Sequence, residues 1–495
     1  MEERPLLYRA VSGKIAGLID RGVLRPGERV PSVRRISAQE GVSISTILQA
    51  YMLLESRGYI EARPQSGFYV RSRRDSLPPE PRVSAPGRHA TKVGVSGLVS
   101  RVLQAVLDPQ VVPLGAACPA PELLPGRRVN RTLAGLVRRS GEEVNSYNFP
   151  PGRYELRRQV ARRSLDWGGR LAPEEIVVTC GATEALHLCL RAVARPGDLI
   201  AVESPAYFGT LLLLEALGME VLEIPSHPRR GICLDLLAAA LKQHRVRACI
   251  ASPNFSNPLG SLMPDESKRE LVAMLARREI PLIEDDIYGD LYFGDVRPKA
   301  AKAFDHEGLV LLCSSFSKMI APGYRVGWTA AGRFQAKVEA LKLTTTLATP
   351  TLLQLAIAQF LESGGYDRHL RKMRAAFAAQ TERMIAAVGE YFPPGAKVTR
   401  PTGGFVVWVE LPHGVDSLEL QERALAEHIS ISPGPIFSAR QRYRNFIRLN
   451  CGYPWSARLE EALRTLGRLA RGQDSITERT PPRRGLLDRT ARTSG

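Results

Sequence analysis

Short apolar runs, each ending at a polar group, constrain this chain more than any other feature. Between residues 175 and 315 the sequence carries EIVVT, DLIAVE, ACIAS, IPLIE and LVLLCSS, separated by longer amphipathic stretches. Runs of that length are buried strands, and their alternation with helix-length stretches predicts an open α/β sheet. Such a sheet gathers ligands beyond the carboxyl ends of its strands, where loops converge and helix N-termini point. Chemistry-bearing residues fall at those ends. CGATEA offers Ala182 and Thr183, SPAYFG offers Tyr207, and SNPLG offers Asn257. EDDIY offers Asp285 and Tyr288, and SSFSKMIAPGYRVGW offers Ser315, Ser317, Lys318 and Arg325. Arg448 follows much later, in YRNFIRLNCG.

Each residue alone has a plain structural reading. Lys318 would be a solvated lysine, Asp285 a helix cap, Tyr207 and Tyr288 rim packing, and Arg448 a surface charge. Their joint occurrence at five strand ends fits pyridoxal 5′-phosphate. A lysine can hold the aldehyde as a Schiff base, which gives Lys318 the central role. Asp285 would pair with the pyridinium nitrogen, and Asn257 and Tyr288 would hydrogen-bond the phenolic oxygen. Arg325, Ser315, Ser317 and the Ala182–Thr183 turn would hold the phosphate, with Tyr207 stacked on the ring. Arg448 would clamp a substrate or effector carboxylate.

The N-terminal unit follows a different pattern. Three short helices are expected: one with an apolar face at Leu7, Ile15, Leu18 and Ile19, one starting at Ser32, and one capped by Ser43 or Ser45. The hairpin YIEARPQSGFYV follows. That order makes a winged helix-turn-helix, whose third helix can enter a major groove. Ser43, Ser45, Thr46 and Gln49 would face base edges or phosphates, and Arg34, Arg35 and Arg63 the backbone. The rival is a small helical domain with an ordinary solvated face.

Charge and composition bound the remainder. Sixty-eight Lys and Arg against 50 Asp and Glu give +18. That balance suits DNA, an acidic membrane or an anionic ligand without choosing among them. Seven scattered cysteines without a CxxC pair argue for a reduced cytoplasmic protein and against a metal module. No apolar run reaches the length of a membrane span, so no membrane partner is expected. The expected order is a DNA-binding unit at 1–72, a Pro/Arg/Ser-rich linker at 73–110, and an α/β body at 111–470. A small α+β subdomain would begin near 360, and a disordered basic tail would fill 471–495.

Two resemblances add to this reading. IDRGVLRPGERVPSVRRISAQEGVSISTILQAYMLLESRGYIEARPQSGFYV resembles the GntR-type winged helix, which implies double-stranded operator DNA as a partner. Ile44 stands where many of that family carry an arginine. SNPLG, EDDIY and SFSKMIAPGYRVGW, in that order, resemble the fold-type I, aspartate aminotransferase-like enzymes. That resemblance also implies that Tyr147, in NSYNFPPGRYELRRQVA, reaches the phosphate of a neighbouring subunit. The fusion resembles the MocR/PdxR-type bacterial regulators. It implies a homodimer whose body binds pyridoxal 5′-phosphate and senses the cofactor or an amino compound. The alternative is an active aminotransferase that carries a DNA-binding unit, since no catalytic residue is missing.

Overall fold

A computed structural model describes residues 7–472, apart from positions 26, 57, 64–65, 71–76, 88, 105–107, 140 and 142. The centre of the expected wing turn (64–65), the first residues of the expected linker (73–76) and nearly all of the expected tail (473–495) lie outside the described residues.

The head has the elements that its capping signals predict. Helices α1 (Leu7–Asp20), α2 (Val33–Glu40) and α3 (Ile44–Ser56) precede an antiparallel wing of β1 (Ile60–Arg63) and β2 (Gly67–Val70). The Ser32 side chain accepts from Arg35 N–H at 3.3 Å to start α2, and Gly41 ends it in the left-handed region. Of the two serines considered for α3, Ser43 caps it, accepting from Thr46 N–H at 3.2 Å. Each cap stabilises its helix by about 1 kcal/mol. Val11, Ile15, Ile36, Ile47, Tyr51, Leu54, Ile60 and Val70 close a small core of their own. Tyr51 O–H donates to the Pro31 carbonyl, tying α3 to the turn before α2.

The body is organised by a nine-stranded sheet. Its path runs β3 (Thr91–Lys92), β7 (Glu220–His227), β6 (Leu199–Ser204), β9 (Val246–Ala251), β10 (Leu282–Asp285), β11 (Val310–Ser315), β12 (Gly327–Ala330) and β5 (Val177–Thr179). β8 (Gly231–Ile232) pairs with β7. From β7 to β11 the strands are parallel; β12 runs antiparallel to both β11 and β5. β10 and β11 are buried along their whole length, which explains why their leading residues, 282–283 and 310–313, are apolar without alternation before the polar groups that end each strand.

A smaller four-stranded sheet joins β13 (Lys397–Val398), β14 (Val406–Glu410), β17 (Phe446–Asn450) and β16 (Ser432–Pro433). Beside it, β4 (Val112–Pro113) pairs in parallel with β15 (Ile429–Ser430). The segment opening the body is therefore built into the small lobe, a contact that spacing along the chain does not announce.

The stretch expected to be a linker is largely docked. β3 is an edge strand of the large sheet, and α4 (Ser96–Gln104) with the residue before it buries Val95, Val99 and Val102 in the body core. Glu215 accepts from Val95 N–H, Ser96 N–H and the Ser96 hydroxyl at 2.9, 3.2 and 2.8 Å, which satisfies the free donors at the start of α4. Upstream, Pro78, Glu80, Ser84, Ala85 and His89 are anchored by polar contacts. Among the described residues no helix is long and apolar enough to cross a membrane, and no cluster of metal-ligating side chains occurs.

Candidate functional site

Sheet register assembles the site. Ser315 faces Gly327 across β11 and β12, and Gly327 faces Thr179 across β12 and β5. The end of β11, the start of β12 and the exit of β5 thus meet at one edge. Gly181 turns there with φ 87° and precedes the helix Ala182–Val193. A side chain at Gly181 would meet the Arg325 guanidinium at 2.4 Å and displace it, and the positive φ favours glycine there. Arg325 adopts φ 52° and donates to the Ser317 hydroxyl at 3.4 Å and the Cys180 carbonyl at 3.3 Å. Ser317 N–H donates to the Ser315 hydroxyl at 3.4 Å. A helix N-terminus, a guanidinium and two hydroxyls form a cup suited to a phosphate dianion.

Asp285 ends β10, buried, and its Oδ1 has no hydrogen-bond partner among the described residues. Burial, and then the neighbouring Asp286, push its carboxyl up to about 7. An orphaned buried carboxylate oxygen is costly unless a donor meets it. A pyridinium N–H is a donor of the right charge. Behind it, Asp286 is paired with Arg297 at 2.5 Å and accepts from Asn254 at 2.9 Å. Arg297 also holds Asp290, which accepts from Tyr366 at 2.9 Å.

Lys318 lies in the turn after β11, its Nζ donating to the Ala117 carbonyl at 2.7 Å. Burial lowers its pKa first; Arg448 and Arg325 lower it further, while Cys118 and Asp285 act against them. The amine is thereby shifted toward its neutral, nucleophilic form. Asn257 Nδ2 lies 3.4 Å from the Tyr288 hydroxyl, and burial raises the Tyr288 pKa. Tyr207 follows β6 and precedes the helix Phe208–Ala216, its phenol pushed up to about 12, mainly by burial. Arg448, on β17, is fully buried. It donates to Asn257 Oδ1 at 3.2 Å, to the Ser432 hydroxyl at 2.9 Å and to the Gly115 carbonyl, while its Nε has no partner among the described residues. A bound carboxylate would compete for a guanidinium that the protein already engages.

Arg325, Ser315, Ser317 and the turn at Gly181 and Ala182 are thus brought together at one sheet edge, and Arg448 on the small lobe reaches Asn257 beside Tyr288. Tyr147 does not join them within the chain: it is 73% exposed and stacks on Phe149. In the head, Arg34, Arg35, Ser43, Ser45 and Gln49 are exposed and Thr46 is half-buried. Arg63 pairs with Glu61 at 2.9 Å and lies over the Tyr69 ring. Sequence reasoning missed Glu184, which accepts from Cys180 N–H and binds Lys342 at 3.0 Å, bracing the phosphate-side turn. It also missed the carbonyls of Gly115 and Ala117. Backbone acceptors carry no residue-type signal; Glu184, one residue past Thr183, did.

The connecting segment touches both lobes. Ser84 donates to the Ser204 carbonyl at 2.5 Å and accepts from Ser226 N–H at 2.8 Å, at the ends of β6 and β7. Glu80 pairs with Arg229 beside β7 and accepts from Arg400 N–H at 3.1 Å in the small lobe. Arg400 donates to the Pro78 carbonyl, and Val398 N–H to that of Pro79, both at 2.9 Å.

Comparison with known proteins is consistent with this division. Residues 7–70 match the bacterial regulatory proteins of the gntR family, and residues 125–466 match aminotransferase class I and II. The uncharacterized HTH-type transcriptional regulator YdcR of Escherichia coli is 41% identical over 93% of this chain and 98% of its own length. The 2-aminoadipate transaminase of Thermus thermophilus is 31% identical over 78% of this chain and 96% of its own. The α-aminoadipate aminotransferase LysN of that organism, solved with N-(5′-phosphopyridoxyl)-L-leucine, superposes with a TM-score of 0.70 at 31% identity. The match covers 76% of this chain and 94% of LysN.

Proposed function

The chain belongs to the MocR/PdxR-type group, a GntR-family winged helix-turn-helix fused to a pyridoxal 5′-phosphate-binding, fold-type I aminotransferase-like body, and from that premise we propose that its body senses an amino compound and passes the signal to the DNA-binding head. When bound, the cofactor supplies an aldehyde that captures primary amines and a ring that withdraws electrons. Lys318 would bond that aldehyde carbon, its burial favouring the neutral amine needed for attack. Asp285 would accept the ring N–H on its unpartnered oxygen, and Asn257 and Tyr288 would hydrogen-bond the ring oxygen. Ala182, Thr183, Ser315, Ser317 and Arg325 would hold the phosphate, with Tyr207 against the ring and Tyr147 serving the partner copy of a homodimer. Arg448 would receive a carboxylate on the incoming amine, giving up bonds to Gly115, Ser432 or Asn257 as it does so.

The observation that supports sensing over catalysis alone is the connecting segment. It leads from the head and is hydrogen-bonded to the large lobe at Ser204, Ser226 and Arg229 and to the small lobe at Val398 and Arg400. An amine that binds one lobe arrangement more tightly shifts the population of that arrangement. Arg448 lies on the small lobe and Lys318 on the large one, so a ligand engaging both would discriminate between arrangements. The test adds candidate amines to the cofactor-loaded protein and follows its absorbance and its operator affinity in the same samples. Amines that change the spectrum are expected to change operator affinity. Equal affinity for every amine that shifts the spectrum sinks the coupling.

A second reading, active transamination, is favoured by the presence of Lys318, Asp285, Tyr288, Asn257, Arg325 and Arg448, with Arg448 bonded to Asn257 and Asn257 to Tyr288. In that case Lys318 would also move the proton between substrate α-carbon and cofactor. Turnover of an amino donor with an added keto acid tests it directly.

A further inference from the structure

The outward face of α3 is unusual for a helix that must meet a polyanion. Ile47, Ala50, Tyr51 and Leu54 point into the head core. Along the flank beside that face Ile44 is 50% exposed, Leu48 42% and Met52 66%. Spaced four apart, these three form one apolar ridge along the helix. Ser45 and Gln49, also exposed, run beside the ridge.

The surroundings identify what covers the ridge. No acidic residue occupies the first turn of α2 or α3, so beyond the Ser32 and Ser43 caps neither N-terminus is neutralised by a carboxylate of its own first turn. Arg34 and Arg35 are exposed on α2. Residues 7–70, the gntR-family match, carry nine Lys and Arg against five Asp and Glu. The partner is therefore duplex DNA, met by α3 in the major groove. Ile44 and Leu48 have no donor for the N7 and O6 acceptors of guanine. The one apolar group on a groove edge is the C5-methyl of thymine.

We propose that Ile44 and Leu48 read thymine methyl groups in the operator, with Gln49 and Ser45 supplying the adjoining hydrogen bonds. The ridge then replaces a charged base contact with a shape-and-methyl contact, and the phosphate contacts remain with α2 and the helix ends. This rests on the regulator reading above.

The test uses the full chain loaded with pyridoxal 5′-phosphate. Duplexes are first selected from a randomised pool. Each thymine of the selected site is then replaced singly by deoxyuridine, which removes only the methyl. One or two positions per half-site are expected to lose about 3- to 5-fold in affinity, the size of one buried methyl group. Ile44→Ala and Leu48→Ala should each abolish the deoxyuridine effect at one position and leave other positions unchanged. Both residues are exposed and alanine favours helix, so folding is retained; thermal melting checks this. A specific site indifferent to deoxyuridine everywhere overturns the proposal while leaving DNA binding intact. So does a deoxyuridine effect that persists in both variants. A pool that yields no enriched duplex overturns the regulator reading as well.

Discussion

Replacing Asp285 by asparagine separates holding the cofactor from holding the fold. Burial and Asp286 raise its carboxyl from an ordinary 3.8 to about 7. A carboxylate raised in the folded state binds its proton more tightly there than in the unfolded chain. Its contribution is full below the unfolded value and is lost as pH rises through about 7. A shift of about three units at 1.36 kcal/mol each sets an upper bound of about 4 kcal/mol. Without cofactor, Asp285→Asn should therefore gain stability on wild type as pH rises from 5 to 8. Glu203 and Glu284 are also raised to about 7 and are present in both proteins, so most of their pH dependence cancels in the difference. Asp285 itself contributes to the Glu203 shift, which adds to the gain in the same direction. With pyridoxal 5′-phosphate the order should reverse, because the variant offers no charge to the ring nitrogen. A lost charge-assisted hydrogen bond of about 1.5–3 kcal/mol weakens binding by about 10- to 100-fold. Melting curves at pH 5 and 8, with and without cofactor, and a cofactor titration measure all of this. A variant without cofactor that is equally destabilised at both pH values, or that binds cofactor as tightly as wild type, refutes the reasoning.

Lys318→Ala should bind the cofactor without covalent attachment; borohydride reduction followed by mass measurement should label the wild type alone. Arg297→Met leaves Asp286 buried without its 2.5 Å partner and should cost about 3–5 kcal/mol, read in denaturant, with Asp286→Asn in the same chain restoring part of it. Ser84→Ala with Glu80→Gln removes the side-chain anchors of the connecting segment on both lobes and leaves only backbone carbonyl contacts such as those of Pro78 and Pro79. It should leave amine-induced spectral changes intact while reducing the accompanying change in operator affinity. Tyr147→Phe should weaken cofactor binding in the associated protein and leave dilute, dissociated chains unchanged. A titration at protein concentrations spanning dissociation distinguishes the two.

Strand-end chemistry was legible because parallel sheets leave two strong marks in sequence. Doubly buried strands read as unbroken apolar runs, and the residue that ends each run sits where loops converge. Asp285 at the end of β10 and Lys318 just past β11 are both of this kind. The head was legible for a local reason: Ser32, Gly41 and Ser43 act within a few residues of themselves, so capping chemistry sets both ends of α2 and the start of α3. Ser43 rather than Ser45 caps α3 because its hydroxyl reaches Thr46 N–H, a choice that spacing alone left open.

The connecting segment was opaque for the converse reason. Its anchors at 78–85 are polar and distant in sequence: Arg400 with Pro78 and Glu80, and Ser84 with Ser204 and Ser226. A Pro- and Arg-rich stretch without apolar periodicity reads as a free tether, yet proline pre-extends the backbone and lowers the entropy lost on docking. Such a segment can then be held by a few polar contacts, at the Pro78 and Pro79 carbonyls, the Glu80 carboxylate and the Ser84 hydroxyl. Further along, Val95, Val99 and Val102 enter a hydrophobic core, with Val93 and Leu98 packed against it. The two halves should therefore differ in strength. α4 is fixed to the body by apolar burial, whereas the polar span from 78 to 85 exchanges protein hydrogen bonds for water at a net cost of about 1 kcal/mol each. A signal between cleft and head can pass through the weaker half, because only there can small lobe displacements change which bonds are made.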